Sequence, residues 1–325
     1  MKKNYNYCLD LIKGIACFCV VCMHCEFPGK LGIIVQAVSR FCVPFFFMVS
    51  GYFCFYGKGA EEKSVKQKLK PIIKLTILAV ILNLCWVIAG VFRGSQNINV
   101  SIKDIVVFIF FNTPFILISS YWFLFALIYD YLLYMIVKKY NLYKLAYIMI
   151  PVLLVCYVIL AQGLHIAGIR IPGYLYKNFL IEGFPFFMLG HFLHSRQDKI
   201  NIKNSVLLIM IILFSALCLL ERNLLGRDFG VNICSIPQVI AIFIFGMVNP
   251  LKGSGVLQRI GKSDSMYVYV FHPVVYRVLE VLYHVLGISE SSIALYLMPI
   301  VTILSSLVLA EGYRKVSGWI KRESR

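Results

Sequence analysis

The stretch VLLIMIILFSALCLL (206–220) runs for fifteen residues without a charged side chain. A membrane β-strand would alternate polar and apolar residues, and this stretch does not. Nine other segments are similarly apolar and approach the roughly 20 residues that a spanning helix needs. We therefore predict an all-α protein, a polytopic bundle of about ten transmembrane helices. The predicted spans are 9–26, 37–56, 71–92, 121–137, 143–161, 174–194, 204–220, 231–248, 266–286 and 293–313.

The composition of the whole chain agrees with this class. Hydrophobic residues make up 60% of the 325 residues, and charged residues make up only 14%. Soluble domains have about 45–50% apolar and about 25% charged residues. The excess of apolar side chains cannot be hidden in a water-soluble core of this size. Soluble enzymes, disordered tails and collagen-like rods are therefore excluded.

The net charge of +17 is distributed in short basic clusters between the apolar segments. This pattern is typical of membrane proteins, whose cytoplasmic loops are rich in Lys and Arg, and we expect no nucleic-acid partner. With ten spans and the N-terminus inside, the inner regions carry 21 basic residues and the outer regions 7. We therefore predict a multi-pass protein of the cell (plasma) membrane. Residues 57–70 and both termini would face the cytoplasm, and 162–173 and 221–230 would face out.

An eleventh apolar stretch, 104–118, is interrupted by Asn112, Thr113 and Pro114. If it also crossed the bilayer, the basic loops after residue 137 would fall outside, and the charge asymmetry would largely vanish. We interpret it as a re-entrant or surface hairpin within a single membrane domain, 1–325, that has no soluble part.

The eleven cysteines lie nearly all inside apolar segments, where cysteine behaves as a small hydrophobic residue. Cys19, Cys22 and Cys25 repeat an iron–sulfur-like spacing, but steps of three residues drift around a helix and cannot converge on one cluster. We predict no metal site and no structural disulfide.

The first predicted helix carries two polar residues that suggest chemistry. Lys13 and His24 are eleven residues apart, close to three whole helical turns, so they share one face about 16 Å apart along the axis. Charged groups within a span usually face the bundle interior or a water-filled cavity. Lys13 has two alternative interpretations, snorkelling to the cytoplasmic surface or pairing with Asp10. His24 has one alternative interpretation, an interfacial histidine that is hydrogen-bonded to a neighbouring helix.

Five motifs, in order along the chain, resemble the membrane acyltransferase 3 family. They are LDLIKGIA (9–16) with ten residues between Lys13 and His24, SRFCVPFFFMVSGYF (39–53), YWFL (121–124), GFPFFMLG (183–190) and SMYVYVFHP (265–273). The resemblance implies ten transmembrane helices. It also implies acyl transfer, commonly from acetyl-CoA, to a cell-envelope carbohydrate or related acceptor. Two positions depart from the family's usual pattern, where Arg is commoner: Lys13, and Glu182 before the 183–190 motif.

The chemistry of the side chains fits acyl transfer. Histidine is the natural base for taking a hydroxyl proton near neutral pH, so we predict His24 as the general base. Arg40 or Tyr269 would donate hydrogen bonds to the oxyanion. Lys13 would contact the phosphates of an acyl-CoA co-substrate, and we predict no permanently bound cofactor.

Three further residues are candidates for binding the acceptor, each with a structural alternative. Trp122 stacks on the substrate or anchors the helix at the interface. His272 contributes to the site or makes a structural hydrogen bond. Asp228 lines an acceptor-binding rim or belongs to a solvated charged loop.

A second function remains open, transport or flipping of a small substrate such as serine without covalent chemistry. The membrane halves of vancomycin-resistance serine racemases also resemble this sequence, which gives that alternative its basis. A transporter is expected to show inverted repeats, and no internal repeat is obvious in this sequence.

Overall fold

The computed structural model describes residues 6–55, 65–94, 99–115, 119–251, 253 and 255–323, and within these ranges it is helical and has no β-strand. Three π-helical turns interrupt the α-helices, at Ile159–Gly163, Phe179–Gly183 and Ile260–Asp264. The α-helices are α1 (Tyr7–His24), α2 (Gly29–Val38), α3 (Cys42–Tyr52), α4 (Val65–Phe92), α5 (Ile102–Phe111), α6 (Trp122–Lys139), α7 (Tyr143–Val158), α8 (Leu164–Ile166), α9 (Phe184–Ser195), α10 (Asn204–Leu225), α11 (Ser235–Val248), α12 (Val256–Arg259), α13 (Ser265–Val285) and α14 (Ser292–Glu323).

Seven helical segments of the described chain are long and apolar enough to cross a membrane, which confirms the predicted all-α membrane class. They are Tyr7–His24, Gly29–Tyr52, Val65–Phe92, Ser119–Lys139, Tyr143–Ile166, Asn204–Leu225 and Ser292–Ser317. The other predicted spans coincide with α9, α11 and α13, so the total of ten stays a prediction. The second span begins earlier than predicted, because α2, a short 3₁₀ turn and α3 run on continuously from Gly29.

Some predictions fall partly or wholly on residues outside the described ranges. These are the two termini, most of the predicted cytoplasmic loop 57–70, and residues 116–118 of the predicted hairpin. The rest of that hairpin contains α5, whose ten residues are about 15 Å long, half of what a span needs. At its end Asn112 adopts a left-handed conformation, donates to the Trp122 carbonyl and accepts from the Phe179 amide.

The chain divides into two compact units, residues 1–39 with 250–325, and residues 40–249. In the first unit, α1 packs against α12, the π-turn Ile260–Asp264 and α13. Gly14 and Gly261 permit this close approach. A Cβ on Gly14 would overlap the carbonyl of Leu257, and one on Gly261 would overlap the carbonyl of Asp10. The glycine of the LDLIKGIA motif therefore fixes how close α1 lies to its neighbours.

In the second unit, the two glycine motifs meet each other. A Cβ on Gly51 of α3 would overlap the Phe187 carbonyl, and one on Gly190 of α9 would overlap the Met48 carbonyl. Several aromatic residues of both helices are fully buried, among them Phe47 and Phe187. The α3–α9 pair is thus the centre of the second unit, and the helices that carry polar residues are arranged around it.

Candidate active site

In the first unit, His24 is the last residue of α1 and is exposed, while His272 in α13 is fully buried. Their rings stack, with centroids 5.4 Å apart and planes 29° apart. The Tyr269 ring lies one helical turn before His272, at 5.7 Å from it. Three residues that the sequence predicted for the site, His24, Tyr269 and His272, are therefore brought together.

The hydrogen bonds of His272 indicate which tautomer it adopts. Its Nδ1 lies 3.2 Å from the Val268 carbonyl oxygen, which can only accept, so Nδ1 carries the proton. Its Nε2 is then an acceptor, and it is buried without a hydrogen-bond partner among the described residues. An unsatisfied buried polar atom is costly, which makes this nitrogen a candidate contact for a ligand.

Lys13 pairs with Asp10, its ammonium nitrogen 2.6 Å from a carboxylate oxygen. Both side chains are largely buried, and the other oxygen of Asp10 has no hydrogen-bond partner in the described part of the chain. The structure thus contains the local ion pair that the sequence left as an alternative. The predicted contact of Lys13 with donor phosphates stays a prediction.

A cavity of about 370 Å³ opens beside the end of α1 in the first unit. The two residues that follow His24, Cys25 and Glu26, line it together with Glu280 and Tyr276 of α13 and Glu290 beyond that helix. Carboxylates accept hydrogen bonds from hydroxyl and ammonium groups, so the cavity wall suits a polar acceptor.

In the second unit, Arg40 and Asp228 come together with Arg222. The Arg222 Nε donates to one carboxylate oxygen of Asp228 at 2.7 Å, and the Arg40 guanidinium lies 3.6 Å from the same oxygen. Asn232 donates to the other oxygen at 3.3 Å. The Asp228 side chain is only 6% exposed, so it does not belong to a solvated loop. It orients two arginines.

Two π-turns bring further polar groups to the same end of this unit. Glu182 is fully buried, and neither of its carboxylate oxygens has a hydrogen-bond partner in the described ranges. Gly230 lies opposite, and a Cβ there would sit 3.2 Å from Glu182 and 3.0 Å from the Tyr157 hydroxyl. Gln162, from the other π-turn, donates to Glu221 at 2.8 Å. π-Turns inside helices are frequently functional.

Trp122 is buried rather than facing lipid, and the Lys177 ammonium lies over its ring at 5.2 Å. Deeper in the same helix, Asp130 is fully buried, and its carboxylate oxygens have no hydrogen-bond partner among the described residues. It lies against Gly183, whose missing side chain makes room for it. Sequence reasoning assigned no role to Asp130, Lys177 or Glu182. The acid in the middle of a predicted span was the signal available for Asp130.

Comparison with known proteins adds the family. A family model described as an acyltransferase domain, that of the membrane acyltransferase 3 family, matches residues 6–311. The chain belongs to this family. No curated protein and no solved structure matches it. Membership supports membrane acyltransferase activity in general. The resemblance to this family that the five motifs indicate is confirmed.

The exposed histidine at the end of α1 carries an imidazole, the side chain whose charge changes near neutral pH. Cys25 and Glu26, the two residues after His24, line the 370 Å³ cavity, and the buried His272 ring lies against the His24 ring. Acyl transfer to a hydroxyl needs a base that is accessible and oriented. The arginine–carboxylate network of the second unit offers fixed donors for an anionic or polar group.

Proposed function

We propose that the chain transfers an acyl group, acetyl in the simplest case, from a cytoplasmic thioester to a cell-envelope carbohydrate or a related acceptor. The acceptor group is a hydroxyl or an amine, and the donor is acetyl-CoA or another acyl-CoA used as co-substrate. The observation that carries the proposal is the exposed His24 backed by buried His272, in a chain of an acyltransferase family.

The proposed step balances as a direct transfer. The acceptor oxygen attacks the thioester carbonyl carbon while His24 takes the hydroxyl proton, and the tetrahedral intermediate places negative charge on the carbonyl oxygen. The carbon–sulfur bond then breaks, and the imidazolium returns the proton to the thiolate of coenzyme A. Stacking on His272 holds the His24 ring, and Tyr269 is a hydroxyl donor for the oxyanion on the same face of α13.

Four other residues that the sequence singles out have roles in this proposed reaction. Lys13 contacts the donor, and Arg40 is the alternative to Tyr269 as the hydrogen-bond donor to the oxyanion. Trp122 and Asp228 contribute to acceptor binding, with Asp228 acting through the two arginines that it orients. The environment is the lipid bilayer of the plasma membrane, as the seven apolar helices and the basic loops support.

The test is to incubate the purified protein with acetyl-CoA labelled in the acetyl group and with cell-envelope fractions. We expect label in a carbohydrate fraction and release of one thiol per acetyl group transferred. A protein that moves a small substrate across vesicles without releasing thiol would be a transporter, and that result would overturn the proposal.

A further inference from the structure

The second unit contains a larger cavity, of about 650 Å³, where α3, α6 and α9 end and α7 begins. This is the opposite end of these helices from Arg40 and Glu182, which lie near the starts of α3 and α9. The size falls within the roughly 300–1,000 Å³ typical of small-molecule sites. None of the predicted site residues lines it.

Aromatic rings in fixed positions form one wall of this cavity. The Tyr134 hydroxyl donates to the Cys54 carbonyl at 2.8 Å, so it accepts from His191 Nε2, 3.2 Å away. His191 Nδ1 is then an acceptor for the Tyr147 hydroxyl at 2.9 Å. The Tyr143 ring lies nearly parallel to His191, with planes 8° apart and centroids 5.4 Å apart. The hydrogen bonds hold the His191 ring in place, and the Tyr143 ring stacks on it.

Three cations line the same cavity: Lys138 in the last turn of α6, and Arg196 and Lys199 just after α9. The Arg196 guanidinium lies 5.9 Å from the Phe192 ring, a cation–π contact that orients it. The N-terminus of α7 is also at this place, and no side chain in the described ranges caps its first amides. Both features favour an anion, and a guanidinium binds phosphate through two parallel hydrogen bonds.

We propose that this cavity binds a nucleotide, a planar ring that carries two or more phosphate groups, with the ring against Tyr143 and His191 and the phosphates on Lys138, Arg196 and Lys199. Fixed aromatic rings suit a base, and converging cations suit phosphates. A lipid headgroup shares the phosphate chemistry but has no ring to stack on this wall.

The proposed function gives the nucleotide an identity, the adenosine phosphate end of the coenzyme A donor, and this step rests on that function. The predicted topology places 138–144 and 196–203 on the cytoplasmic side, from which coenzyme A comes. Lys13, the donor contact predicted from sequence, is already paired with Asp10 at 2.6 Å. Three cations in one cavity match the several phosphates of coenzyme A better than one lysine that is already paired with a carboxylate.

The experiment measures binding to the full chain in nanodiscs of phosphatidylcholine, with adenosine 3′,5′-bisphosphate and free coenzyme A as probes. Lys138→Gln and Lys199→Gln remove exposed charges, so both variants should fold. We expect each to weaken the affinity for both probes about tenfold, or about 1.4 kcal/mol. Tyr143→Leu should weaken binding of both probes and leave that of inorganic pyrophosphate unchanged. Lys139→Gln is the matched control, because Lys139 neighbours Lys138 in the same exposed turn and does not line the cavity.

Equal effects of Lys138→Gln and Lys139→Gln would show only general surface charge and would overturn the site. Unchanged affinity in Tyr143→Leu would overturn the ring contact. Loss of probe binding in nanodiscs that contain phosphatidylglycerol would assign the cavity to an anionic lipid instead.

An assay of acyl transfer distinguishes a failure of this nucleotide site from a failure of the proposed function on which it rests. A wild-type chain that acylates an acceptor while the cavity variants bind coenzyme A normally would overturn the site alone. A chain that binds the bisphosphate through the cavity but never consumes a thioester would overturn the function alone.

Discussion

At the scale of single residues, His24 is exposed on one side and stacked against buried His272 on the other. We expect His24→Ala to lower the rate of acyl transfer about 10²–10⁴-fold, the usual contribution of a general base. His272→Phe keeps a flat ring and removes both nitrogens, so we expect a smaller loss, about tenfold. The measurement is thiol release with saturating acetyl-CoA.

His165→Ala is the control for these variants, since His165 is a histidine of the other unit, 3.4 Å from the Leu225 carbonyl. It should retain the wild-type rate. A loss in His272→Phe as large as that in His24→Ala would move the base assignment to His272. A wild-type rate of acyl transfer in His24→Ala would falsify the assignment of His24 as the general base.

The Lys13–Asp10 pair permits a second prediction at this scale. Lys13→Ala leaves a buried carboxylate without its cation, and breaking a buried pair costs about 3–5 kcal/mol. We expect a lower melting temperature in detergent for Lys13→Ala, a nearly normal one for Lys13→Arg, and partial recovery in the double variant with Asp10→Ala. The donor contact proposed for Lys13 predicts in addition a raised KM for the donor in Lys13→Ala, and an unchanged KM would contradict that contact.

The sequence identified residues at this scale better than it identified their partners. His24, Tyr269 and His272 were all candidates, but the stacking of the two rings depends on the position of α13 beside α1, which no local pattern specifies. Lys13 and Asp10 are close in sequence, so their pairing was foreseeable as an alternative. Glu182 was noticed only as a departure from the family, because its burial depends on distant Gly230 and Tyr157.

At the scale of elements, the long apolar helices were predictable because a run of about 20 apolar residues has few other structures. α4 and α10 lie where the sequence predicts spans, but α4 begins at Val65 rather than at 71, and α10 ends at Leu225 rather than at 220. The π-turns were not predictable, since an inserted residue in a helix leaves no mark in hydrophobic periodicity. Two of these turns, at Ile159–Gly163 and Phe179–Gly183, carry buried polar residues of the candidate site.

The close contact of α3 with α9 gives a prediction about elements. Gly190→Ala places a Cβ on the Met48 backbone, so the helices must move apart, and overpacking typically costs about 1–3 kcal/mol. Gly312→Ala in α14 is the matched control, because nothing lies within 4 Å of its new Cβ. There the substitution should be neutral or slightly stabilising, as for alanine in any helix interior.

Thermal unfolding of both glycine variants in the same detergent provides the measurement. A melting temperature lowered by Gly190→Ala and not by Gly312→Ala is the expected result. Equal melting temperatures would mean that α3 and α9 are not in close contact, and the glycine motifs would then need another explanation.

At the scale of the whole molecule, the helices of the second unit carry two different groups of residues at their two ends. The starts of α6 and α9 and the ends of α7 and α10 carry the polar cluster around Glu182 and Asp228. The ends of α6 and α9 and the start of α7 surround the basic cavity. Successive long helices of this unit therefore run in opposite directions, as the predicted topology requires of successive spans. It leaves open only which end faces the cytoplasm.

Charge decides that orientation, and it gives the last prediction. Basic residues near the ends of spans are retained in the cytoplasm, and the ten-span arrangement collects 21 of them inside and 7 outside. We therefore expect 57–70 and both termini inside, and 162–173 and 221–230 outside. In a cysteine-free variant, Arg170→Cys should react with a membrane-impermeant maleimide on intact cells, because Arg170 is exposed. Lys203→Cys, equally exposed, should react only after permeabilisation. The reverse pattern would invert the protein, place the basic cavity outside, and separate it from any cytoplasmic nucleotide.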